Sequence, residues 1–239
     1  MAEITAHRAG AALGLENSLQ ALAQSIAYGT PWAEIDVQLT ADGVVVVFHD
    51  PDLRRLADDP RRVRDLPFAE LPPLTGGIRV PTLAEFIAAA RGRIRLNIEL
   101  KDYGDGPDLA VRVAEFLKAQ GFARQATVCS FNPAVVEELK RRAPEVPAGH
   151  VLEAGPLPAA PAEFVSVAWQ GLTPELVRTA HDRGMGVHVW TVNDGEHMLR
   201  LLAMGVDKVI TDDPATGMAT LRAFRSLNPW RRAWLRWRA

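Results

Sequence analysis

Three short segments of the chain place acidic, basic and imidazole side chains at the ends of apolar runs. They are His7-Arg8, Glu34-Ile35-Asp36 with His49 shortly after, and Glu99-Leu100-Lys101. Each apolar run has the length and composition of a β-strand. Because the carboxyl ends of successive parallel strands meet at one edge of a sheet, the three segments predict one shared active site.

The two-residue period of a strand decides which side chains share a face. Glu34 and Asp36 project to the same side of their strand, and Asn97, Glu99 and Lys101 do so on another. Carboxylates held this close raise one another's pKa, and burial raises it further, unless a cation compensates. We therefore expect a divalent metal at Glu34, Asp36 and Glu99, whose hard oxygen atoms suit Mg²⁺ or Ca²⁺ better than zinc.

Two histidines and two cations accompany these acids. His7 and His49 are the expected general acid and base, because imidazole titrates near neutral pH and can both accept and deliver a proton. Which histidine has which role stays open. Arg8 suits bidentate contact with phosphate oxygens, and Lys101 adds a point charge, although both also suit pairing with the metal-site acids.

Composition narrows the classes of function. A formal net charge of −2 and a pI near 6.3 give no basic field that would attract nucleic acid, so nucleic-acid partners are discounted. The single cysteine, Cys129, lies in an apolar run and is expected to be a small buried hydrophobe, which fits a reducing, cytoplasmic location. The first residues carry no signal-peptide pattern, and no apolar stretch is long enough to span a bilayer.

Strand and helix patterns alternate almost to the end of the chain. Strands are predicted near residues 3–8, 32–39, 44–49, 95–101, 126–131, 148–152, 164–168, 186–192 and 207–211. Helices are predicted near residues 17–28, 82–91, 108–120, 133–142, 173–183 and 194–204. This alternation predicts an α/β protein with a parallel sheet, and the length of 239 residues matches a TIM-type (β/α)8 barrel.

Nine strands are one too many for eight barrel positions. The turn Ala41-Asp42-Gly43 is too short for a parallel crossover, so the run 44–49 is expected to pair antiparallel with its predecessor or to bend outward, carrying His49. Residues 1–226 are predicted to form a single barrel domain. Within it, residues 51–81 contain six prolines, dense charge and Gly76-Gly77, which indicates a small loop-rich insertion at the barrel mouth.

An ordered set of motifs supports a family resemblance. The motifs are His7-Arg8 with Glu16-Asn17, Glu34-Ile35-Asp36-Val37, Thr40-Ala41-Asp42-Gly43, His49-Asp50, Ile98-Glu99-Leu100-Lys101, Trp190-Thr191-Val192-Asn193 and Thr211-Asp212-Asp213-Pro214. Together they resemble the glycerophosphodiester phosphodiesterase family from residue 5 to about residue 216. The resemblance implies a TIM-type barrel, a bound Mg²⁺ or Ca²⁺, and hydrolysis of small glycerophosphodiesters to sn-glycerol 3-phosphate and an alcohol.

The resemblance and the strand positions assign further residues: Glu16, Asn17, Trp190, Asp212 and His188. It places Glu16 and Asn17 near the site, although Asn17 also suits a helix cap. Trp190 is expected to wall the substrate pocket or to be an ordinary barrel aromatic residue. Asp212 is expected to orient its neighbours rather than to bind metal, and His188 to be a core histidine with its hydrogen bonds satisfied.

The chain departs from the family pattern at three positions. Ala9 stands where glycine usually follows His-Arg, Leu15 stands where proline is common, and Ser18 where threonine is common. The added methyl group of Ala9 is expected to shift the loop backbone near the phosphate. All candidate catalytic side chains remain, so the departure does not predict an inactive protein.

Residues 227–239 form a Trp/Arg-rich tail. Its tryptophans recur at helical spacing among arginines: Trp230, Trp234 and Trp237, with Arg231, Arg232, Arg236 and Arg238. The tail suits weak contact with an anionic membrane surface. Packing against the barrel, or disorder, is the favoured alternative, because so short a segment makes a marginal helix and a weak anchor.

Two other functions stay open beside the main one. A related barrel enzyme with lysophospholipase D-like or sphingomyelinase D-like activity would cleave the headgroup of a lipid, and would need an apolar groove beside the site. A barrel that only binds phosphodiesters or another protein would have to account for His7, His49 and three acids. The sequence leaves headgroup preference, the choice between Mg²⁺ and Ca²⁺, and the oligomeric state open.

Overall fold

The computed structural model of the chain describes residues 2–104, 106–228, 230–231 and 234–235. Its strands are β1 (Glu3–Ala6), β2 (Trp32–Leu39), β3 (Val45–Val47), β4 (Arg95–Leu100), β5 (Ala126–Ser130), β6 (Ala148–Leu152), β7 (Phe164–Ala168), β8 (Gly186–Trp190) and β9 (Lys208–Thr211). All strands except β3 form a closed parallel ring in the order β1, β2, β4, β5, β6, β7, β8, β9, with β9 pairing back to β1. The predicted TIM-type barrel is confirmed.

Helices connect most of the ring strands on the outside, and one short helix lies in the insertion. They are α1 (Leu19–Ala27), α2 (Arg54–Ala57), α3 (Leu83–Ala90), α4 (Pro107–Ala119), α5 (Pro133–Arg142), α6 (Pro174–Asp182), α7 (Gly195–Met204) and α8 (Pro214–Ser226). Local chemistry sets their starts. Ser18 rather than Asn17 caps α1, and Thr82 forms a reciprocal capping box with Glu85 at α3.

The ninth strand lies outside the ring. β3 pairs antiparallel with β2, with Val47 opposite Val37, while β2 pairs directly with β4. The first of the two predicted arrangements for this segment is therefore correct. The hairpin extends beyond the barrel and directs the chain that follows β3 back toward the mouth.

The two faces of the ring strands have different chemistry. Residues such as Ile35 and Ile98 face outward into an apolar layer under the helices. Their neighbours in the barrel include buried polar side chains: Thr5, Glu34, Asp36, Asn97, Thr127, Ser166, His188 and Lys208. Alternation along each strand thus separates a structural apolar layer from a polar interior, and the candidate site lies at the carboxyl end of that interior.

Two features differ from the prediction. Helix α8 was not predicted, because its sequence mixes small and polar residues and buries little besides Pro214, Gly217 and Leu221. The segment 51–81 consists of loops and short helical turns, and together with Phe48 it encloses an apolar cluster that includes Leu53 and Val63. That cluster gives the insertion a fixed position against the β2–β3 hairpin.

The C-terminal tail is described only in part. Trp230, Arg231 and Trp234 are exposed, whereas the predictions made for Arg232, Arg236, Trp237 and Arg238 concern positions outside the described residues. Across the residues that are described, none of the helices combines the length and the apolar character that crossing a membrane requires.

Candidate active site

Three carboxylates converge at the carboxyl ends of β2 and β4. Glu34, Asp36 and Glu99 each offer one oxygen atom, and these atoms lie within 4.8 Å of one another. Glu34 and Asp36 share the inner face of β2, and Glu99 is the register partner of Asp36 on β4. The structure thus brings together the three acids that the sequence singled out.

Glu34 is the least compensated of the three. One of its carboxylate oxygens accepts a hydrogen bond from the backbone amide of Arg8 at 2.8 Å, and the other is buried without a hydrogen-bond partner among the described residues. Burial and the charge of Asp36 raise the pKa of Glu34 to about 8. A buried carboxylate oxygen without a partner is costly, so this donor set fits a hard divalent cation such as Mg²⁺ or Ca²⁺.

Lys101 neutralises part of the acidic cluster. Its ammonium nitrogen lies 2.5 Å from an oxygen of Glu99 and 3.1 Å from an oxygen of Asp36. Burial alone would raise the pKa of Asp36, but Lys101, His49 and Arg8 outweigh it and lower the pKa to about 2. Burial raises the pKa of Glu99 despite Lys101. The cluster therefore keeps an excess of acidic groups.

His7 lies just past β1, not within it. The strand ends at Ala6, and His7–Ala9 form a 3₁₀ turn, so the predicted strand 3–8 was two residues too long. Nδ1 of His7 donates a hydrogen bond to Asp212 at 2.6 Å. Burial lowers the pKa of His7, but Asp212 and the charges of Glu34 and Asp36 outweigh burial, and the pKa is raised.

His49 reaches the site from the hairpin. Its Nδ1 donates to Asp50 at 2.7 Å, and its backbone carbonyl accepts from the hydroxyl of Tyr103 at 2.6 Å. Gln38 anchors the same segment by donating to the carbonyls of Phe48 and Asp50, both at 2.9 Å. Burial lowers the pKa of His49 more than nearby acids raise it. Both histidines therefore hold a carboxylate on Nδ1, which leaves Nε2 as the nitrogen that can exchange a proton with a ligand.

Arg8, Glu16 and Asn17 link the first loop to the carboxylates. Arg8 donates to Glu16 at 2.9 Å, and its Nε lies 3.7 Å from Asp36. The side-chain amide of Asn17 donates to Asp36 at 2.8 Å, while its oxygen accepts from the Asp36 backbone amide. Asn17 thus contacts a site acid and does not cap α1, which resolves the alternative left open by the sequence.

One cavity of about 150 Å³ joins these groups. Its lining includes both histidines, Arg8, the three acids, Lys101 and Trp190. Trp190 meets Phe131 edge to face with ring centroids 6.0 Å apart, so one wall of the cavity is aromatic. A cleft of about 580 Å³ adjoins the His7 side, and one of about 340 Å³ adjoins the Lys101 side. The cavity therefore shares lining residues with a cleft on each of two sides.

Comparison with known proteins assigns the chain to a family. The model of the glycerophosphoryl diester phosphodiesterase family matches residues 7–216. The chain belongs to this family. A glycerophosphodiester phosphodiesterase from Caldanaerobacter subterraneus subsp. tengcongensis is 30% identical over 233 residues, covering 89% of this chain and 95% of that one. The resemblance inferred from the motifs is therefore confirmed, and the chain is an enzyme of the phosphodiesterase class.

Solved structures agree with this assignment. An Oleispira antarctica phosphodiesterase, in complex with the product sn-glycerol-3-phosphate, superposes with a TM-score of 0.84 at 27% identity, covering 92% of this chain and 96% of that one. A glycerophosphodiester phosphodiesterase from Parabacteroides distasonis gives a TM-score of 0.81 at 28% identity, covering 94% and 97%. Both similarities extend over the whole barrel.

The cavity is also lined or supported by residues that the sequence analysis did not single out. Asp50 and Arg55 support His49, and Phe131 completes the aromatic wall. Asp50 had a signal, since it directly follows His49 in a motif. Arg55 had none, because it is one of several arginines in the loop-rich insertion. Asp212, expected to orient a neighbour, holds His7 and is itself held by Asn193 at 2.6 Å.

His188 departs from the expectation in one respect. It is a buried core histidine stacked on Phe164, with ring centroids 4.2 Å apart. Its Nδ1, however, has no hydrogen-bond partner among the described residues, so its hydrogen bonds are not all satisfied within the protein. Burial lowers the pKa of His188 well below its ordinary value, and the ring is neutral.

The backbone at Ala9 has a conformation that favours glycine. Ala9 has a φ of 66° and is fully buried, and the neighbouring Arg8 has a φ of 47°. This left-handed region costs an L-residue about 1–2 kcal/mol and costs glycine nothing. Here the alanine is accommodated, and the turn still places His7 and Arg8 in the cavity.

Proposed function

We propose that the chain hydrolyses glycerophosphodiesters to sn-glycerol 3-phosphate and an alcohol in a reaction that depends on a divalent cation and two histidines. One observation carries the proposal. Three carboxylates with oxygen atoms within 4.8 Å share a cavity with two histidines, each of which has a carboxylate on Nδ1. The glycerol phosphate product named for the Oleispira antarctica relative supports the same substrate class.

Glu34, Asp36 and Glu99 would hold the cation. The unpartnered oxygen of Glu34 and the remaining acidity of the cluster support this role. Bound there, Mg²⁺ or Ca²⁺ supplies Lewis-acid polarisation of a phosphoryl oxygen. Asn17 keeps Asp36 in place through two hydrogen bonds, so the acid does not have to be ordered when a ligand arrives.

His7 and His49 move the protons. In this family type the neighbouring glycerol hydroxyl attacks phosphorus, giving a cyclic phosphate that water then opens. One imidazole accepts the proton of the attacking hydroxyl and the other protonates the departing alcohol oxygen. Asp212 and Asp50 fix the rings in the tautomer with hydrogen on Nδ1, because each accepts a hydrogen bond from that nitrogen.

Arg8 and Lys101 bind the phosphate in this proposal. The Arg8 side chain is oriented by Glu16, and the Lys101 ammonium lies between Asp36 and Glu99, so both positive charges border the space a phosphate would occupy. Trp190 forms the apolar wall for the non-reacting part of the substrate. We also propose that the protein works in a reducing, cytoplasmic compartment, which its single, buried cysteine supports.

The test is release of sn-glycerol 3-phosphate from glycerophosphocholine and glycerophosphoethanolamine by chelator-stripped protein, with Mg²⁺ or Ca²⁺ restored. His49→Ala is expected to lower kcat by about 10²- to 10⁴-fold, the usual contribution of a general acid or base. His181→Ala is the matched control, because His181 is an exposed histidine on α6 that pairs with Asp207 outside the cavity. Lysophosphatidylcholine is assayed alongside. Cleavage of that lipid alone would replace the proposal by the lysophospholipase D-like alternative.

A further inference from the structure

A single arginine of the insertion contacts two acids that support the cavity. Arg55 lies on α2, and its Nε donates to Asp50 at 2.6 Å. Its two terminal nitrogens donate to the two oxygens of Glu16 at 2.6 and 2.9 Å. The planar guanidinium thus bridges two carboxylates that are 34 positions apart in the chain.

Each of these carboxylates holds a side chain that lines the cavity. Asp50 accepts from Nδ1 of His49 at 2.7 Å, and Glu16 accepts from Arg8 at 2.9 Å. Hydrogen bonds therefore run without a break from His49 through Asp50, Arg55 and Glu16 to Arg8, and each of them involves a charged group. His49 comes from the hairpin extension and Arg8 from the turn after β1, so the link joins the ring to an element outside it.

We propose that Arg55 is a positioning residue that fixes His49 and Arg8 relative to each other for catalysis. The inference rests on the proposed function, since it assigns these two residues to proton transfer and phosphate contact. The guanidinium of Arg55 donates to Asp50 through Nε and to both oxygens of Glu16 through its terminal nitrogens, and the shorter, unforked ammonium of a lysine does not reproduce this geometry. The Arg55 side chain is 46% exposed, so its ion pairs contribute little to folding stability.

The experiment compares Arg55→Ala and Arg55→Lys with Arg54→Ala. Arg54 is the matched control, because it is the neighbouring arginine on α2 and, among the described residues, its side chain makes no ion pair or hydrogen bond with the site. We expect Arg55→Ala to lower kcat at least about tenfold with Tm nearly unchanged, because misplacing a catalytic group by a fraction of an ångström costs this much. Arg55→Lys is expected to recover only part of the loss.

Double variants separate positioning from a general structural role. Asp50→Asn is expected to lower kcat by a smaller factor in the Arg55→Ala background than in the wild type, because both changes break the same Arg55–Asp50 hydrogen bond. Strictly additive losses, or a loss of kcat that follows a lowered Tm, would overturn the inference. If the wild type is active and Arg55→Ala has the same kcat, this inference fails and the proposed function stands. If the wild type is inactive, the proposed function fails as well.

A second, independent feature is the charge of the C-terminal segment. Residues 214–239 contain six arginines and no acidic residue, while the other 213 residues carry 21 Lys and Arg against 29 Asp and Glu. The same segment contains three of the six tryptophans of the chain. Among described residues, Trp230 (84% exposed) and Trp234 (54% exposed) are the most exposed large apolar side chains.

This basic aromatic surface lies away from the mouth. Helix α8 starts after β9 at the carboxyl end of the barrel and runs toward the other end, where Arg225 donates to the backbone carbonyl of Ala2, next to the start of β1. Trp234 lines a groove there with Leu199, Leu227 and Arg231. The surface therefore faces in a direction different from that of the cavity.

We infer that this surface, formed by Trp230, Arg231 and Trp234 with Arg222 and Arg225, binds an anionic phospholipid bilayer. Charge complementarity decides the partner, because this surface belongs to the basic segment of the chain and is attracted to anionic lipid headgroups. The rest of the chain is net acidic and would be repelled by such a bilayer. Tryptophan suits the headgroup region because its ring is apolar and its N–H is polar. Bound in this way, the barrel presents its mouth to water, where small glycerophosphodiesters dissolve.

Sedimentation with phosphatidylcholine vesicles, with and without phosphatidylglycerol, tests the inference on the full chain. We expect binding only to the anionic vesicles, weakened by salt and reduced at least about tenfold in Trp230→Ala/Arg231→Gln, with hydrolysis of glycerophosphocholine unchanged. Tyr28→Ala is the control, because Tyr28 is a half-exposed aromatic residue elsewhere on the surface. Equal binding to neutral vesicles, no binding, or a dimer in ultracentrifugation that the double variant dissociates would overturn it.

Discussion

The barrel holds one charged cluster at each end, and the two are built differently. The mouth cluster consists of Glu34, Asp36, Glu99, Lys101 and Arg8, and acids outnumber cations within it. One of its carboxylate oxygens is buried without a partner and faces a cavity. Such an incomplete arrangement is costly to folding, and it is found where a ligand or ion supplies the missing contact.

The floor cluster consists of Glu3, Trp32, Arg95 and Lys208, the first residues of four ring strands. Glu3 accepts from the indole N–H of Trp32 at 2.7 Å and from Arg95 at 2.5 Å. The Arg95 guanidinium carbon and the Lys208 nitrogen lie 4.2 and 3.2 Å from the Trp32 ring centroid. Every group has a protein partner, so this cluster closes the barrel and leaves no oxygen for a ligand. What separates a structural cluster from a reactive one is whether every polar group has a protein partner, and not whether the cluster is charged.

The same kind of substitution should have very different effects on activity at the two ends of the barrel, and this difference is the largest effect that we predict. Glu99→Gln is expected to lower kcat/KM by about 10³-fold, or roughly 4 kcal/mol, because it removes one of the three proposed cation ligands. Glu3→Gln at the floor should leave kcat/KM within about threefold, since a surface pair of this kind affects stability alone. Steady-state assays of both variants, with circular dichroism to confirm folding, make the comparison. Comparable losses in the two variants would remove the distinction.

Cation binding should stabilise the mouth specifically. Mg²⁺ or Ca²⁺ at about 100 times its Kd is expected to raise the free energy of unfolding of the wild type by about 2.7 kcal/mol. The increase should disappear in Glu34→Gln and persist in Glu3→Gln. Calorimetry of chelator-treated protein, with and without added metal, measures it. A metal-induced shift of the same size in Glu34→Gln would assign the cation to another place.

Lys208 in the floor cluster should make the free energy of unfolding depend on pH. Burial lowers its pKa to about 7, although Glu3 opposes the shift. Between pH 7 and about pH 10, the unfolded chain holds this proton and the folded chain does not, so stability rises with pH there by at most about 1.4 kcal/mol per unit. Urea unfolding of wild type and Lys208→Met at several pH values isolates the contribution, which should be absent in the variant. Parallel curves for the two proteins would mean that Lys208 is charged in the folded state.

The smallest expected effect concerns backbone strain, which also distinguishes the two ends. Among described non-glycine residues, positive φ angles occur at Arg8, Ala9, Asn17 and Asp58, and three of these border the mouth. Ala9→Gly removes a left-handed alanine but adds flexibility to the unfolded chain and deletes a buried methyl group. These terms nearly cancel, so the free energy of unfolding should change by less than about 1 kcal/mol.

Activity measurements complete this test. We expect kcat of Ala9→Gly to stay within about threefold of the wild type, because the turn keeps its geometry in either sequence. An increase or decrease beyond about tenfold would show that the methyl group itself sets the position of His7 and Arg8.

The sequence predicts the ring strands and the acidic cluster because both depend on local patterns. Two-residue alternation places Glu34 and Asp36 on one face without any knowledge of the fold, and the short turn before β3 excludes a parallel crossover. Long-range partners have no such local signal. Arg55 meets Glu16 across 39 positions, and Nδ1 of His7 meets Asp212 across 205. The tertiary structure alone decides which arginine or which aspartate fills each place.

Helix α8 illustrates a different limit. Its few buried residues give it a weak amphipathic pattern, and its start depends on Asp213, which accepts hydrogen bonds from the backbone and hydroxyl of Thr216. Packing against β1 and α7 supplies what the pattern lacks. Helices of this kind are recognised from their environment rather than from their own sequence.

The antiparallel position of β3 has a consequence for how such enzymes diversify. The ring closes through the direct pairing of β2 with β4, so the intervening hairpin and insertion are topologically a graft on one side of a complete barrel. That graft nevertheless delivers His49, Asp50 and Arg55. Exchanging residues 40–81 between homologues is therefore expected to transfer one of the two proposed catalytic histidines, with its supporting residues, and to leave the ring of strands unchanged. We expect substrate range to vary through this hairpin and insertion while the barrel stays the same.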